Sequence, residues 1–216
     1  MDSIEKEHLP ALFEALRDVF TAQREALIAL DGKVGDSDLG ITMNKAFIAA
    51  FESVRTNTTE PIGKTLQLAG MAVAKAAPST MGTLVATGLM RGGKALEGAQ
   101  VWGTTEMSSF WAAFFKGVAD RGKAQLGDKT LLDVLSPIAL SLEASSASGT
   151  DLGTALAQAA QAARDGLEAT KGMVAQHGKA ACFQEKTLGL QDAGATVGVL
   201  MIETMHAYVV QSGSNT

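Results

Sequence analysis

Three aspartates and two glycines are concentrated in one short segment, Asp31-Gly32-Lys33-Val34-Gly35-Asp36-Ser37-Asp38, and a third glycine, Gly40, lies just beyond it. Carboxylates brought together repel one another, and a hard cation relieves that repulsion. Mg²⁺ takes oxygen ligands at about 2.0–2.1 Å and commonly binds between a few carboxylates and substrate phosphates. Glycine lets the backbone turn tightly enough for the carboxylates to converge. The segment is therefore a candidate site for a metal and a nucleotide.

A simpler interpretation is a solvated acidic turn, because Asp and Gly are ordinary turn residues. The spacing of the aspartates alone does not decide between the two. The segment does not fit the calcium-binding EF-hand, which needs a longer run of alternating ligands ending in Glu.

Composition limits the class of protein. With 216 residues, 46% of them hydrophobic, the chain can form one substantial core, and we expect a single domain over residues 1–216. A net charge of −5 argues against nucleic acid or an anionic membrane as the main partner. Cys182 is the only cysteine, which fits a reducing cytoplasm. The N-terminus does not resemble a secretory signal, and we expect no membrane-spanning segment.

Helical periodicity dominates the sequence. Apolar residues recur at three- and four-residue steps, and no segment shows the sustained two-residue alternation of a strand. The predicted helices cover about 4–30, 43–54, 62–76, 82–96, 106–121, 130–147, 151–176 and 192–210, with residues 211–216 frayed. Eight helices on one core predict an all-α, antiparallel up-and-down bundle or closed barrel.

The order of the connections predicts where a site lies. In an up-and-down arrangement, the connections after the first, third, fifth and seventh helices emerge at the same end. These are the aspartate segment, 78–81, 122–129 and 178–191. They would form one pocket, in which glycine backbones and helix N-termini can face a phosphate.

At this level of detail the sequence resembles the nucleotide-binding L subunit, or L domain, of the dihydroxyacetone kinase family. The resemblance spans nearly the whole chain and rests on the order and spacing of several short motifs. They are Leu30-Asp31-x-x-x-Gly35-Asp36-Ser37-Asp38 with Gly40 and Met43-Asn44, Arg121-Gly122-Lys123-Ala124, Gly127-Asp128-Lys129-Thr130, Gln191-Asp192 and Gly194-Ala195-Thr196.

The resemblance implies an eight-helix barrel with ADP or ATP at one end and two Mg²⁺ ions held by Asp31, Asp36 and Asp38. It places further residues around the nucleotide: Leu39, Gly40, Ile41, Thr42, Thr80, Met81, Gly122, Leu131, Lys179, Asp192, Ala193 and Gly194. It also implies a separate K subunit that binds a small ketose. Some members use free ATP, and others keep ADP bound and receive phosphate from a phosphotransferase-system protein.

The sequence departs from the family pattern near the expected nucleotide. Leu39 and Leu190 replace two histidines, Ala193 replaces a proline, and Lys179 replaces an arginine. Lysine keeps the positive charge but lacks the planar fork that arginine offers to phosphate oxygens. We therefore expect weaker nucleotide retention, and the phosphate donor and the particular sugar stay open.

Two functions follow from these observations. The first is a kinase subunit that transfers phosphate from Mg-nucleotide to a ketose held by a K subunit. Positioning and charge neutralisation dominate such a reaction, and the carboxylate-bound metals would provide the neutralisation. The second is an ADP-bound regulatory module that binds a phosphotransferase-system or transcriptional partner without turnover of its own.

Overall fold

The computed structural model describes residues 1–213, and within them the chain forms nine α-helices. The helices are α1 (Leu9–Ala22), α2 (Arg24–Asp31), α3 (Leu39–Thr56), α4 (Ile62–Ala76), α5 (Thr80–Ala95), α6 (Thr104–Gly122), α7 (Leu132–Ala147), α8 (Leu152–Ala169) and α9 (Ala193–Gly213). Short 3₁₀ segments cover Lys6–His8, Thr170–Gly172 and Ala180–Thr187. The all-α prediction is confirmed.

Consecutive helices pack side by side, and the last helix returns to the first. The packed pairs are α1–α3, α3–α4, α4–α5, α5–α6, α6–α7, α7–α8, α8–α9 and α9–α1. This closed ring is the expected antiparallel barrel. Counting α1 and α2 as one interrupted helix gives the eight positions of the ring.

The first predicted helix, residues 4–30, differs most from the structure. Ile4 instead pairs with Trp102 in an isolated antiparallel bridge, with N–H···O distances of 3.1 and 2.8 Å. The helix then breaks at Gln23, whose ψ is 1° although its N–H still donates to the Val19 carbonyl. Neither glycine nor proline marks this break, so the periodic pattern continues through it. The break allows α2 to pack on α3.

Two other helix ends differ from the prediction. Helix α8 ends at Ala169 rather than near residue 176, because the Thr170 hydroxyl turns back to the Leu167 carbonyl at 2.6 Å and accepts the Asp192 N–H at 3.0 Å. Residues 211–213 were predicted to fray but belong to α9. The rest of that prediction, 214–216, lies outside the described residues.

Glycines allow close packing around α5. A Cβ on Gly88 would lie 2.4 Å from the Phe114 ring, and one on Gly92 would lie 2.4 Å from the Phe110 ring. Both rings are fully buried, together with Trp111. Phe110, Trp111 and Phe114 of α6 are therefore core residues.

Helix α9 is long and apolar enough, by length and composition alone, to cross a membrane. Half of its apolar stretch is buried in the fold, and it packs between α8 and α1. Burial in a barrel wall accounts for this composition.

Candidate functional site

The acidic loop, residues 31–38, connects α2 to α3 and brings three carboxylates together. Asp31 ends α2, Asp36 lies in the loop, and Asp38 immediately precedes α3. Ligand oxygens of all three lie within 4.8 Å of one another. The Asp31 carboxylate accepts hydrogen bonds from the backbone N–H groups of Asp38 at 3.0 Å and Leu39 at 3.4 Å. This anchors the cluster at the N-terminus of α3.

Backbone geometry explains the glycine in the loop. A Cβ on Gly35 would lie 2.2 Å from Oδ1 of Asp31, so only glycine permits this approach. Ser37 has a φ of 62°, in the left-handed region, and this turn places Asp36 and Asp38 on the same side.

The cluster is electrostatically crowded. Desolvation raises the pKa of Asp38, and the neighbouring charges of Asp36 and Asp31 raise it further, while Lys179 opposes the shift. The Lys179 ammonium donates a hydrogen bond to Oδ2 of Asp36, which raises the pKa of the lysine. A cation therefore already neutralises part of the cluster. Three converging carboxylates have the donor chemistry that Mg²⁺ requires.

The acidic loop forms one wall of a cleft of about 470 Å³ at one end of the barrel. It is lined from all four connections that the order of the helices predicts to meet at this end: the acidic loop, residues 78–81, Lys129, and residues 177–180 with 190–194 of the last connection. A compartment of about 360 Å³ adjoins it and is lined by apolar side chains including Leu84, Val118, Leu131 and Leu132. Together they have the size and mixed polarity of a site for a small ligand.

Most of the residues predicted to surround the nucleotide lie in these two compartments. The cleft is lined by Leu39, Thr80, Met81, Lys179, Asp192, Ala193 and Gly194, and the adjoining compartment by Gly122 and Leu131. Contact of each residue with nucleotide stays a prediction.

Three predicted residues, Gly40, Ile41 and Thr42, lie in the first turn of α3 and outside both linings as the structure describes them. Gly40 packs against α2, where an added Cβ would lie 2.0 Å from the Arg24 carbonyl oxygen. The Thr42 N–H donates to the Asp38 carbonyl at 2.9 Å. Gly40 therefore packs α3 against α2, Ile41 is exposed, and contact of the three residues with nucleotide stays a prediction.

Asp192 lies where α9 begins, at the boundary of the two compartments. Its carboxylate accepts the Ala195 N–H at 2.6 Å, as an N-terminal cap does. Desolvation nevertheless raises its pKa to about 6. Lys129 and the backbone N–H groups of Ala195 and Gly194 oppose this rise.

Sequence reasoning missed the roles of two residues in the cleft. His177 is hydrogen-bonded through Nε2 to the Asp128 carboxylate at 2.9 Å, and Asp128 also accepts the Gln125 N–H at 2.7 Å. Asp128 thus binds the His177 side chain. Lys129 is only 3% exposed and contacts backbone carbonyls instead of pointing freely into the cleft. The Gly127-Asp128-Lys129-Thr130 motif is the only feature of the sequence that indicates this turn.

Comparison with known proteins identifies the family. The sequence profile of the DAK2 domain matches residues 33–207. The chain belongs to the DAK2 domain family. This DAK2 domain is 32% identical, over 87% of its length and 90% of the relative's, to the ADP-binding subunit DhaL of the PEP-dependent dihydroxyacetone kinase of Escherichia coli K12. The expected resemblance is confirmed.

Some relatives are longer proteins that this chain matches over only part of their length. The L-erythrulose kinase of Pectobacterium atrosepticum is 31% identical over 95% of this chain, which spans only 35% of that protein. Among solved structures, the dihydroxyacetone kinase of C. freundii in complex with AMP-PNP and Mg²⁺ superposes with a TM-score of 0.68 at 24% identity. That match covers 92% of this chain and 33% of the kinase, and it establishes the shared fold.

Proposed function

We propose that this DAK2 domain is the nucleotide-binding, phosphoryl-transferring unit of a kinase for dihydroxyacetone or a related small ketose. The observation that supports it most directly is the convergence of Asp31, Asp36 and Asp38 at a cleft of nucleotide size. The matched relatives are named as kinases of dihydroxyacetone and of erythrulose, and one is named an ADP-binding subunit.

In this proposal Asp31, Asp36 and Asp38 would hold two Mg²⁺ ions, and ADP or ATP would bind beside them. The metal would neutralise charge on the phosphoryl oxygens when bound. The chain's own residues position the nucleotide. The apolar compartment beside Leu131 suits the base of the nucleotide, because the apolar faces of the base would be removed from water there. The polar cleft beside Lys179 suits the phosphates.

The proposal also includes a partner and a location. The ketose would be held by a K-type subunit or domain that docks over the open mouth of the cleft, because the carboxylate cluster is accessible there. The phosphate donor would be free ATP or a phosphotransferase-system protein that rephosphorylates bound ADP. The single cysteine fits a cytoplasmic protein.

Ligand binding tests the first half of the proposal. A ligand that binds only the folded state stabilises it by about 2.7 kcal/mol at a hundredfold excess over its Kd. ADP with Mg²⁺ should therefore raise the melting temperature, and ADP with a chelator should raise it much less. Equal shifts with and without the chelator would argue against a carboxylate–metal bridge. The mass of any nucleotide that co-purifies identifies the bound species.

Reconstitution tests the second half. The purified chain is mixed with a K-type subunit, with dihydroxyacetone or erythrulose as acceptor and ATP or a phosphotransferase-system donor as phosphate source. We expect turnover only when both proteins are present. Mg-ADP binding without turnover in any combination would instead favour the regulatory module, whose partner would then be sought at the same open end.

A further inference from the structure

The connection between α8 and α9 forms a flap over the cleft, which we define as residues 170–190. Its first stem is 170–173, its second stem is 187–190, and its tip is 174–186. The tip carries His177 and Lys179 to the cleft, where Lys179 reaches Asp36. The position of the flap therefore decides whether His177 and Lys179 line the cleft.

The tip has little packing of its own. In the 3₁₀ segment Ala180–Thr187, Thr187 of the second stem is the buried residue, and Phe183 is exposed. Backbone contacts hold the rest: the Gln176 N–H donates to the Asp128 carbonyl at 3.0 Å, and the Ala175 N–H donates to the Thr187 hydroxyl at 3.0 Å. The position of the tip therefore depends on the stems together with the contacts of Gln176 and His177 with Asp128.

Lys129 binds both stems at once. Its ammonium donates to the carbonyl oxygens of Thr170 at 2.6 Å and Met173 at 3.2 Å in the first stem. It donates to those of Thr187 at 2.8 Å and Leu190 at 2.5 Å in the second. All four partners are backbone carbonyl groups, so the interaction depends on backbone position rather than on the flap's side chains.

A cation inside a ring of carbonyl oxygens replaces its hydration shell with fixed dipoles, as ions do in channel filters. Without the ammonium, these carbonyl groups would face one another in a buried space with no donor, which is unfavourable. Water would have to take the place of the ammonium, and the stems would keep the direct hydrogen bond from the Gly189 N–H to the Lys171 carbonyl at 2.8 Å. The cation thus reinforces the contact between the two stems.

We propose that Lys129 is a positioning residue for the nucleotide site: its ammonium closes the base of the flap and thereby places Lys179 against the acidic loop. Lys129 itself acts from beneath the cleft, through the flap. The inference rests on the proposed function only for the identity of the ligand, Mg-ADP.

The first test is hydrogen exchange on the ligand-free protein. Lys129→Met keeps the length of the side chain but removes the ammonium. We expect the amides of Ala175, Gln176 and Gly189 to lose at least about tenfold in protection, while amides in the middle of α5 and α6 keep theirs. Lys123→Met is the matched control, because Lys123 is exposed, lies in the same connection and also has a φ near +60°. Unchanged flap protection in Lys129→Met, or equal loss throughout the barrel, would overturn the proposal.

The second test is a double-mutant cycle on the Kd of Mg-ADP, measured by calorimetry. Lys129→Met should weaken binding by about tenfold in the wild-type background and by less than about threefold in the Lys179→Ala background. That coupling identifies an effect transmitted through the tip, which a general loss of stability would not produce. Equal losses in the two backgrounds would overturn the proposal. Absence of Mg-ADP binding by the wild type would contradict the proposed function instead, and the exchange experiment would still decide the role of Lys129.

Discussion

Lys179 and Asp36 are 143 positions apart in the sequence and form an ion pair across the mouth of the cleft. The lysine thus occupies the space beside a carboxylate that a divalent cation would need. The family resemblance places the same lysine at the nucleotide phosphates. Both placements are compatible if Lys179 leaves Asp36 when metal and nucleotide bind together.

The ion pair predicts opposite effects of Lys179→Ala on two ligands. Mg²⁺ or Mn²⁺ alone should bind more tightly, because the metal no longer competes with an ammonium for Asp36. Mg-ADP should bind more weakly, because a charge-assisted contact to phosphate is lost. Calorimetry with each ligand measures both, with Lys186→Ala as an exposed control on the same flap. A change of the same sign for both ligands would contradict this model of competition.

Asp36→Asn tests the acidic loop directly. Removing one of three carboxylates leaves the divalent metal with too few anionic ligands, and the substitution preserves shape. We expect Mg-ADP affinity to fall by at least about tenfold with an unchanged circular dichroism spectrum. Asp120→Asn, at an exposed aspartate on α6, is the control and should bind normally. Binding by Asp36→Asn at the wild-type level would remove Asp36 from the set of ligands.

The position of the site could be predicted from the sequence because it depends on the order of the helices. Alternating connections in an up-and-down barrel meet at one end, and the cleft is lined from four of them. The three aspartates could also be singled out as candidates, since carboxylates that converge in a glycine-containing loop suit a hard cation, although a solvated acidic turn has the same composition. These inferences need residue types and their order, without exact backbone geometry.

The missed features depend on backbone geometry that residue type does not encode. The break at Gln23 lies in an uninterrupted amphipathic pattern. The burial of Lys129 depends on four carbonyl groups from a segment more than 40 positions away. A lysine in a polar turn is ordinarily exposed, so neither its identity nor its neighbours indicated this contact.

The substitution Gly40→Ala distinguishes a packing role of Gly40 from contact with the nucleotide. A Cβ at this position would lie 2.0 Å from the Arg24 carbonyl, so Gly40→Ala must push α3 away from α2. Such overpacking costs about 1–3 kcal/mol of unfolding free energy, which urea denaturation measures. Gly172→Ala is the matched control, because the space around Gly172 is open. If Gly40→Ala kept full stability but lost Mg-ADP affinity, Gly40 would be a nucleotide contact as the resemblance implies.

Asp192 predicts a specific dependence of stability on pH. Its pKa is raised to about 6 in the folded chain, mainly by desolvation, whereas an unfolded aspartate titrates near 4. The folded state therefore binds this proton more tightly than the unfolded state does. The resulting stabilisation is fully present below about pH 4 and is lost as the pH rises through about 6.

The two pKa values correspond to a loss of up to about 3 kcal/mol in unfolding free energy between about pH 4 and pH 7. Asp192→Asn keeps an oxygen acceptor for the Ala195 N–H but cannot ionise, so it should escape this loss. Urea denaturation across this pH range gives the difference in unfolding free energy between the two proteins. The pKa of Asp38 is also raised, but Asp38 is present in both proteins, so its contribution cancels in the difference. The variant should gain on the wild type as the pH rises. Parallel stability curves would mean that the pKa of Asp192 is the same in the folded and unfolded chains, with the N-terminus of α9 and Lys129 balancing the effect of burial.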